Sequence, residues 1–429
     1  MKISFSTLMT CFLGLTILQT TFAAPSAPEF SISTLLPTHQ AVNVLHARAR
    51  PGSTSSSDDE PPRTGSGGGV MRSGGAHGRN QYELSDPPTD AISSLQFAPD
   101  NSTRLLVSSW DKHVYLYDVQ EEGGANLVKK FEFQAPVLDV CFGQDDSEAF
   151  VGGLDWDVRR LDLTTGEQTV VSQHDSAVNK VAYEPTHQLL ISASWDKSLH
   201  LHVLSPQDRS MPASLAIVTL DEKPYAISVS PSKLLVAMST RKNNLYQLEA
   251  LLTLAAGKNG DRTTAEPWQV RESSMKFMTR AVACNSDDTG YASSSIEGRV
   301  AVDWFDPSPE SQSRKYAFKC HRAPIDGIDT VYPVNALAFS PQHGTFASGG
   351  GDGIVAIWDG VAKRRIKQYK EYSASVAALS FSKDGKYLAV GVCPGFEDGK
   401  EPADMTGEVK VWVRELGPDE AKAKPKSKK

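Results

Sequence analysis

The residues of this 429-residue chain that could do chemistry fall in two short basic stretches, Arg271-Glu-Ser-Ser-Met-Lys276-Phe-Met-Thr-Arg280 and Ile296-Glu-Gly-Arg299. Brought to one place, the guanidiniums of Arg280 and Arg299 would grip a phosphate bidentately, a geometry that the ammonium of Lys276 does not reproduce. Solvated arginines, or local ion pairs with Glu297 or Glu272, account for the same residue types. The other candidates fail on spacing. Cys320-His321 sets a thiol beside an imidazole, but adjacent residues on a strand point to opposite faces and cannot share a proton. The run Gly65-Ser-Gly-Gly-Gly69 lacks the order of a phosphate loop. No Cys/His set has zinc-ligand spacing, and no carboxylates form an acid–base constellation. The expectation is a binding protein and not an enzyme, with no catalytic residue, no metal and no cofactor.

Composition narrows the partners. Lys and Arg number 44 against 51 Asp and Glu, a net charge of −7. A mildly acidic chain does not track phosphate backbones by bulk charge, so direct nucleic-acid binding is not expected. The five cysteines, Cys11, Cys141, Cys284, Cys320 and Cys393, stand far apart, as buried free thiols in a reducing compartment would. With 32 Gly and 25 Pro the chain has many turns, which rules out a long helical bundle.

The elements that must hold the arginines are repeats. Ile92-Ser-Ser-Leu-Gln-Phe97 leads to Leu105-Leu-Val-Ser-Ser-Trp-Asp111 and then to Val114-Tyr-Leu-Tyr-Asp118. The pattern returns from Val137, from Val178, in degraded form from Ala226, around Tyr291, around Phe346 and from Val376. Asp111, Asp155 and Asp196 are spaced 44 and 41 apart, the period of a four-stranded propeller blade. Short strands with evenly distributed turns favour radial repetition over a sandwich. The fold expected is an all-β, seven-bladed β-propeller over residues 81–416. Tyr82-Glu-Leu84 is expected to supply the outer strand of the last blade and so close the ring. Trp110, Trp195 and Trp358 are expected at equivalent or near-equivalent blade positions, packing between neighbouring blades, with Asp111, Asp196 and Asp352 closing tight turns and His174 in a buried hydrogen-bond network. Residues 251–267 read as a surface loop.

The ends differ from the body. Residues 1–24 have the form of a secretory signal, with a basic start, an apolar core too short to span a bilayer, and small residues near Ala23-Ala24. Residues 25–80 are low in complexity and expected to be disordered. Natural translation from Met71 would omit most of both segments. Lys422, Lys424, Lys426, Lys428 and Lys429 make a short basic tail over residues 417–429.

Specific strings carry a resemblance. Ser93-Ser-Leu-Gln-Phe97 through Tyr115-Leu-Tyr-Asp118 resembles the first blade of the mitotic checkpoint WD-repeat proteins of the budding-uninhibited-by-benzimidazole family. More specific are Arg271-Glu-Ser-Ser-Met-Lys276, Ser293-Ser-Ser-Ile-Glu-Gly-Arg-Val-Ala-Val302, Asp306-Pro-Ser-Pro-Glu310, Lys315-Tyr-Ala-Phe-Lys-Cys-His-Arg322 and Tyr332-Pro-Val-Asn335, in the family's order. The similarity spans about residues 82 to 413. The nuclear mRNA-export propeller shares Gly298-Arg-Val-Ala301 and Cys320-His-Arg322, while Arg271-Glu-Ser-Ser274 and Asp306-Pro-Ser-Pro-Glu310 resemble the checkpoint member more closely.

The resemblance implies a WD-repeat propeller acting as a non-enzymatic adaptor of the spindle assembly checkpoint. Its partners would be the checkpoint kinase and its pseudokinase-like relative, bound through GLEBS motifs across the top of the ring, and the kinetochore scaffold, bound at phosphorylated Met-Glu-Leu-Thr repeats. Arg280 and Arg299 match the arginines that hold the phosphothreonine, with Lys276 beside them. Trp110 and Trp195 fall on the GLEBS surface. The alternative is an mRNA-export propeller that binds a nucleoporin GLEBS motif. The implied location is the nucleus and kinetochore, against which the signal-like start argues for secretion, with Asn101-Ser-Thr103 as a sequon. No membrane partner is expected.

Overall fold

Short apolar runs broken by Gly, Asp and Lys at regular intervals fold into seven sheets, each built on four antiparallel strands, and the inner strand of each faces the axis of a ring. In the computed structural model the residues described are 81–120, 124–205, 212–370, 372–395, 405 and 407–423. The expectations for residues 1–24, for 25–80, for a start at Met71 and for the tail beyond residue 423 lie outside them. The inner strands are Ile92–Phe97, Val137–Phe142, Val178–Glu184, Pro224–Val229, Thr279–Cys284, Val334–Phe339 and Ser375–Phe381. The degraded fourth repeat still forms a full blade, with its outer strand at Gln269–Glu272.

Side chains stitch inner strands to their neighbours. Phe142 N–H donates to Gln96 Oε1 (2.7 Å), Val181 N–H to Asp139 Oδ2 (3.0 Å), Cys284 N–H to Ser228 Oγ (2.9 Å) and Phe97 N–H to Ser380 Oγ (3.1 Å). These bonds satisfy backbone donors at the crowded centre, where an unmet N–H would be costly.

Within each blade the chain runs up and down, so the turn between the second and third strands shares one end with the connection into the next blade. This upper end is built to one plan. The N–H groups of Trp110, Leu154, Trp195, Ser239 and Gly351 each donate to a carbonyl just before their blade's inner strand, those of Ala91, Pro136, Ala177, Lys223 and Pro333. Two residues after each of these the backbone turns left-handed, at Lys112, Trp156, Lys197, Arg241 and Gly353, and it does the same at Gly298 of blade five (φ 65–71°). Trp110 and Trp195 therefore occupy equivalent places. Trp358 does not: it lies inside the strand Val355–Asp359, packs 4.6 Å from the Phe318 ring, and donates its indole N–H to Ser348 Oγ.

The ring closes as expected. Gln81–Glu83 pairs antiparallel with Lys410–Glu415 as the outer strand of blade seven, and Leu84, 2% exposed, donates its N–H to Val411 O. Substituting Leu84→Ala is expected to cost about 3 kcal/mol by leaving a cavity at this clasp, measured as a lower urea midpoint. Beyond Leu416 the chain still touches the ring, with Ala421 O accepting from Thr345 Oγ1 (2.6 Å) and Glu420 accepting from Tyr369.

The surface loop expected at residues 251–267 is instead a helix and a strand. Leu248, Leu251 and Ala255 recur at helical spacing and bury one face of the helix Leu248–Ala255 in the core of blades three and four. Asn259–Thr263 then lies parallel to Pro212–Thr219 as a fifth strand of blade three. The apolar spacing was readable in the sequence. The long-range parallel pairing was not.

Candidate functional site

Arg280 and Arg299 both stand at the upper end of blade five. The register pairs Thr279 with Ser295 and Ser295 with Arg299, so one arginine starts the inner strand and the other starts the third strand. Arg280 Nε donates to Asn335 Oδ1 (3.1 Å), and Asn335 Nδ2 donates on to Ser375 Oγ (3.0 Å), which fixes the guanidinium against blades six and seven. Arg299 Nε lies 3.4 Å from Glu297 Oε1, near enough for an ion pair but without hydrogen-bond geometry. The local ion pair with Glu297 is thus real, and a third of the Arg299 side chain is still exposed. The Glu272 alternative fails, since Glu272 pairs with Arg241.

Gly298 sets the position of Arg299. Its φ is +65°, and a Cβ there would stand 2.8 Å from Cys320 O and 3.0 Å from His321 O. Equivalent turns tolerate Lys112, Trp156, Lys197 and Arg241, so left-handed backbone alone does not demand glycine; the two carbonyls do. Gly298→Ala is expected to lower stability by about 2 kcal/mol in urea unfolding and to displace Arg299.

Lys276 and Phe277 are exposed on the connection that enters blade five, and Lys276 forms no ion pair among the described residues. On the far side a short hairpin, Arg322–Ile325 with Ile328–Val331, rises from the connection to blade six. It carries an arginine that spacing alone did not assign: Arg322 Nη2 donates to Glu297 O (2.8 Å), and Nη1 lies 3.6 Å from Asp329. The signal was present in the string Cys320-His-Arg322, but not the bend that turns it toward Glu297. Blade five thus gathers Arg280, Arg299, Arg322 and Lys276 at one end, an arrangement able to hold a dianion by several charge-assisted N–H donors.

Trp110 and Trp195 sit half-buried on the upper rims of blades one and three, away from the arginines. Between them, on blade two, Trp156 is 48% exposed in left-handed backbone (φ 71°), an aromatic the sequence reading missed. Only its alignment with Lys112 and Lys197 after the turn acid could have marked it.

The remaining reactive-looking groups belong to the scaffold. His174 lies 3.0 Å from Asp196 and Ser198 and 2.9 Å from Ser192. His321 repeats this, 2.8 Å from Asp352 and 2.8 Å from Ser348. The imidazole beside Cys320 is therefore engaged elsewhere, and burial pushes the Cys320 thiol up to about 12. Cys284 is likewise pushed to about 12 by burial, and Cys141, Cys284, Cys320 and Cys393 are all buried free thiols. Among the described residues no three His, Cys, Asp or Glu could hold a metal, and no helix is long and apolar enough to cross a membrane.

Comparison with known proteins agrees with this architecture. Residues 78–118, 166–202 and 315–359 match the family model for the WD domain, G-beta repeat. The chain is 43% identical over 346 residues to mitotic checkpoint protein BUB3.1 of Arabidopsis thaliana, covering 80% of this chain and 95% of that protein. It is 34% identical over 304 residues to spindle assembly checkpoint protein bub3 of Schizosaccharomyces pombe, covering 71% and 88%. With mRNA export factor GLE2 of Chaetomium thermophilum it shares 30% over 357 residues, covering 82% and 94%. At these identities and coverages, the chain belongs to the BUB3 family of mitotic checkpoint WD-repeat proteins.

Proposed function

We propose that the protein is a non-enzymatic adaptor of the spindle assembly checkpoint that docks on phosphothreonine in Met-Glu-Leu-Thr repeats of the kinetochore scaffold. One observation carries the reading: Arg280 and Arg299 begin two strands of one blade at the same end, with Lys276 and Arg322 on either side. Phosphorylation adds nearly two negative charges and three acceptor oxygens, which arginine donors meet and an unmodified threonine does not. The partners carried to the scaffold would be the checkpoint kinase and its pseudokinase-like relative, held by GLEBS motifs over the rim bearing Trp110 and Trp195. The place of action would be the nucleus and the kinetochore.

Titration of the full chain with a Met-Glu-Leu-Thr peptide, with and without threonine phosphate, in moderate salt tests this. Phosphate-dependent binding is expected. Equal affinity for both peptides would return the arginines to the ordinary surface and favour the mRNA-export type of partner.

A further inference from the structure

Outward of Arg299, blades five and six part around a cleft of about 310 Å³. Lys319, the direct cross-strand neighbour of Arg299, lines it with Arg322 on the blade-five side. Asp352, Ile354 and Trp358 line it on blade six, with Arg365 at its outer side. The Arg365 guanidinium carbon lies 6.0 Å over the Trp358 ring, so the walls join an aromatic surface to cationic groups. Arg322 is engaged by Asp329 and by the Glu297 carbonyl. Lys319 and Arg365 enter no ion pair among the described residues, in a chain whose net charge is −7.

Asp352 adds a second, independent observation. Its side chain is 5% exposed, and Oδ1 meets His321 Nδ1 at 2.8 Å and accepts from Ile354 N–H at 3.2 Å. Oδ2 is buried with no hydrogen-bond partner among the described residues. A buried acceptor lacking a donor, in a cleft also lined by two exposed cations with no ion-pair partner among the described residues, suits an occupant that brings both an N–H and an acid. An extended peptide does so: its main chain donates, and a glutamate lays its methylenes on Trp358 while its carboxylate reaches Lys319 and Arg365.

We propose that this cleft reads a glutamate of the same phosphopeptide that Arg280 and Arg299 hold, outside the Met-Glu-Leu-Thr unit; the inference rests on that docking. Paired strands lie about 5 Å apart and extended chain advances about 3.3 Å per residue. The cleft lies one strand outward of Arg299 and across the gap to the next blade, which puts the glutamate about three to five residues from the phosphothreonine.

The test uses the full chain and synthetic phosphothreonine peptides in which one glutamate steps through these positions on either side, each paired with a glutamine version. Wild type is expected to bind the best glutamate peptide about tenfold tighter than its glutamine partner. In the Lys319→Ala/Arg365→Ala variant that preference should fall below about twofold, while the preference for phosphate persists. Retained phosphate preference with no glutamate effect in wild type, or with the same effect in the variant, overturns the cleft and leaves the phosphate site standing. Loss of all phosphate preference in wild type overturns the phosphate site, and the cleft reading with it.

Discussion

Arg280→Ala combined with Arg299→Ala is expected to weaken phosphopeptide binding on the order of a hundred- to a thousandfold while leaving the ring folded. A hydrogen bond to a charged group contributes about 1.5–3 kcal/mol, so two guanidiniums facing one phosphate, near the lower end of that range, account for about 3–4 kcal/mol. Each alone should cost less than half of the total, because the phosphate re-centres on the arginine that remains. The singles should differ in character. Arg280 is tied to Asn335, so its removal also frees an amide at the blade-six strand; Arg299 is paired with Glu297, so its removal leaves that carboxylate facing the phosphate. Binding of a GLEBS peptide should stay within about twofold in the double variant, since Trp110 and Trp195 lie on other blades. Isothermal titration of both peptides reads the two sites separately. Equal loss of both would mean that the arginines hold the blade and not the ligand.

The ring was legible because its signal is local and repeated. Strands run from three to nine residues, most with alternating or small side chains, and the upper turns at Asp111, Asp155, Asp196, Glu297 and Asp352 each place an acid before a left-handed residue. Even the closing contact between residues 81–83 and the last blade could be read, because a seven-blade ring leaves only one sheet short of a strand. The insertion after Gln247 was not legible in full. Its parallel pairing with Pro212–Thr219 is a long-range choice that no local pattern states. The site divides the same way. Arg280 and Arg299 could be placed at one end of one blade from the strand period alone. Arg322 could not, because its direction depends on His321, whose φ of 44° bends the chain between the outer strand and the hairpin. Trp358 packs between blades as expected, against Phe318, but from the third strand and not the turn: the two placements look alike in composition and differ only in register.

Acidification from pH 7 to pH 5 is expected to remove about 4 kcal/mol of stability through two histidines of blade three. His174 and His200 stack with ring centroids 3.5 Å apart, and His202 meets His200 edge-on at 5.9 Å. Ser172 Oγ lies 3.0 Å from His200 Nδ1 and 2.7 Å from His202 Nε2, and all three rings are buried. Burial first, then the neighbouring imidazoles, holds His200 down at about 2; burial holds His202 at about 3, against a supporting hydrogen bond to the Leu190 carbonyl. Both folded values lie below the unfolded value of about 6.5. Their contribution is therefore complete above pH 6.5 and is lost as pH falls from there toward 3, because only the unfolded chain takes up the protons. At pH 5 that difference amounts to about 2 kcal/mol for each ring. Carboxylates held below their usual range, Asp111, Glu184 and Asp196 among them, act in a more acidic window. Asp303, raised by burial, works weakly in the opposite sense. Urea unfolding of wild type and His200→Gln at the two pH values isolates the effect, since the cost of the substitution itself cancels in the pH difference. The variant should lose about 2 kcal/mol less than wild type on acidification. An unchanged pH difference would mean that His200 is already protonated in the folded ring and that the stacked cluster carries a charge.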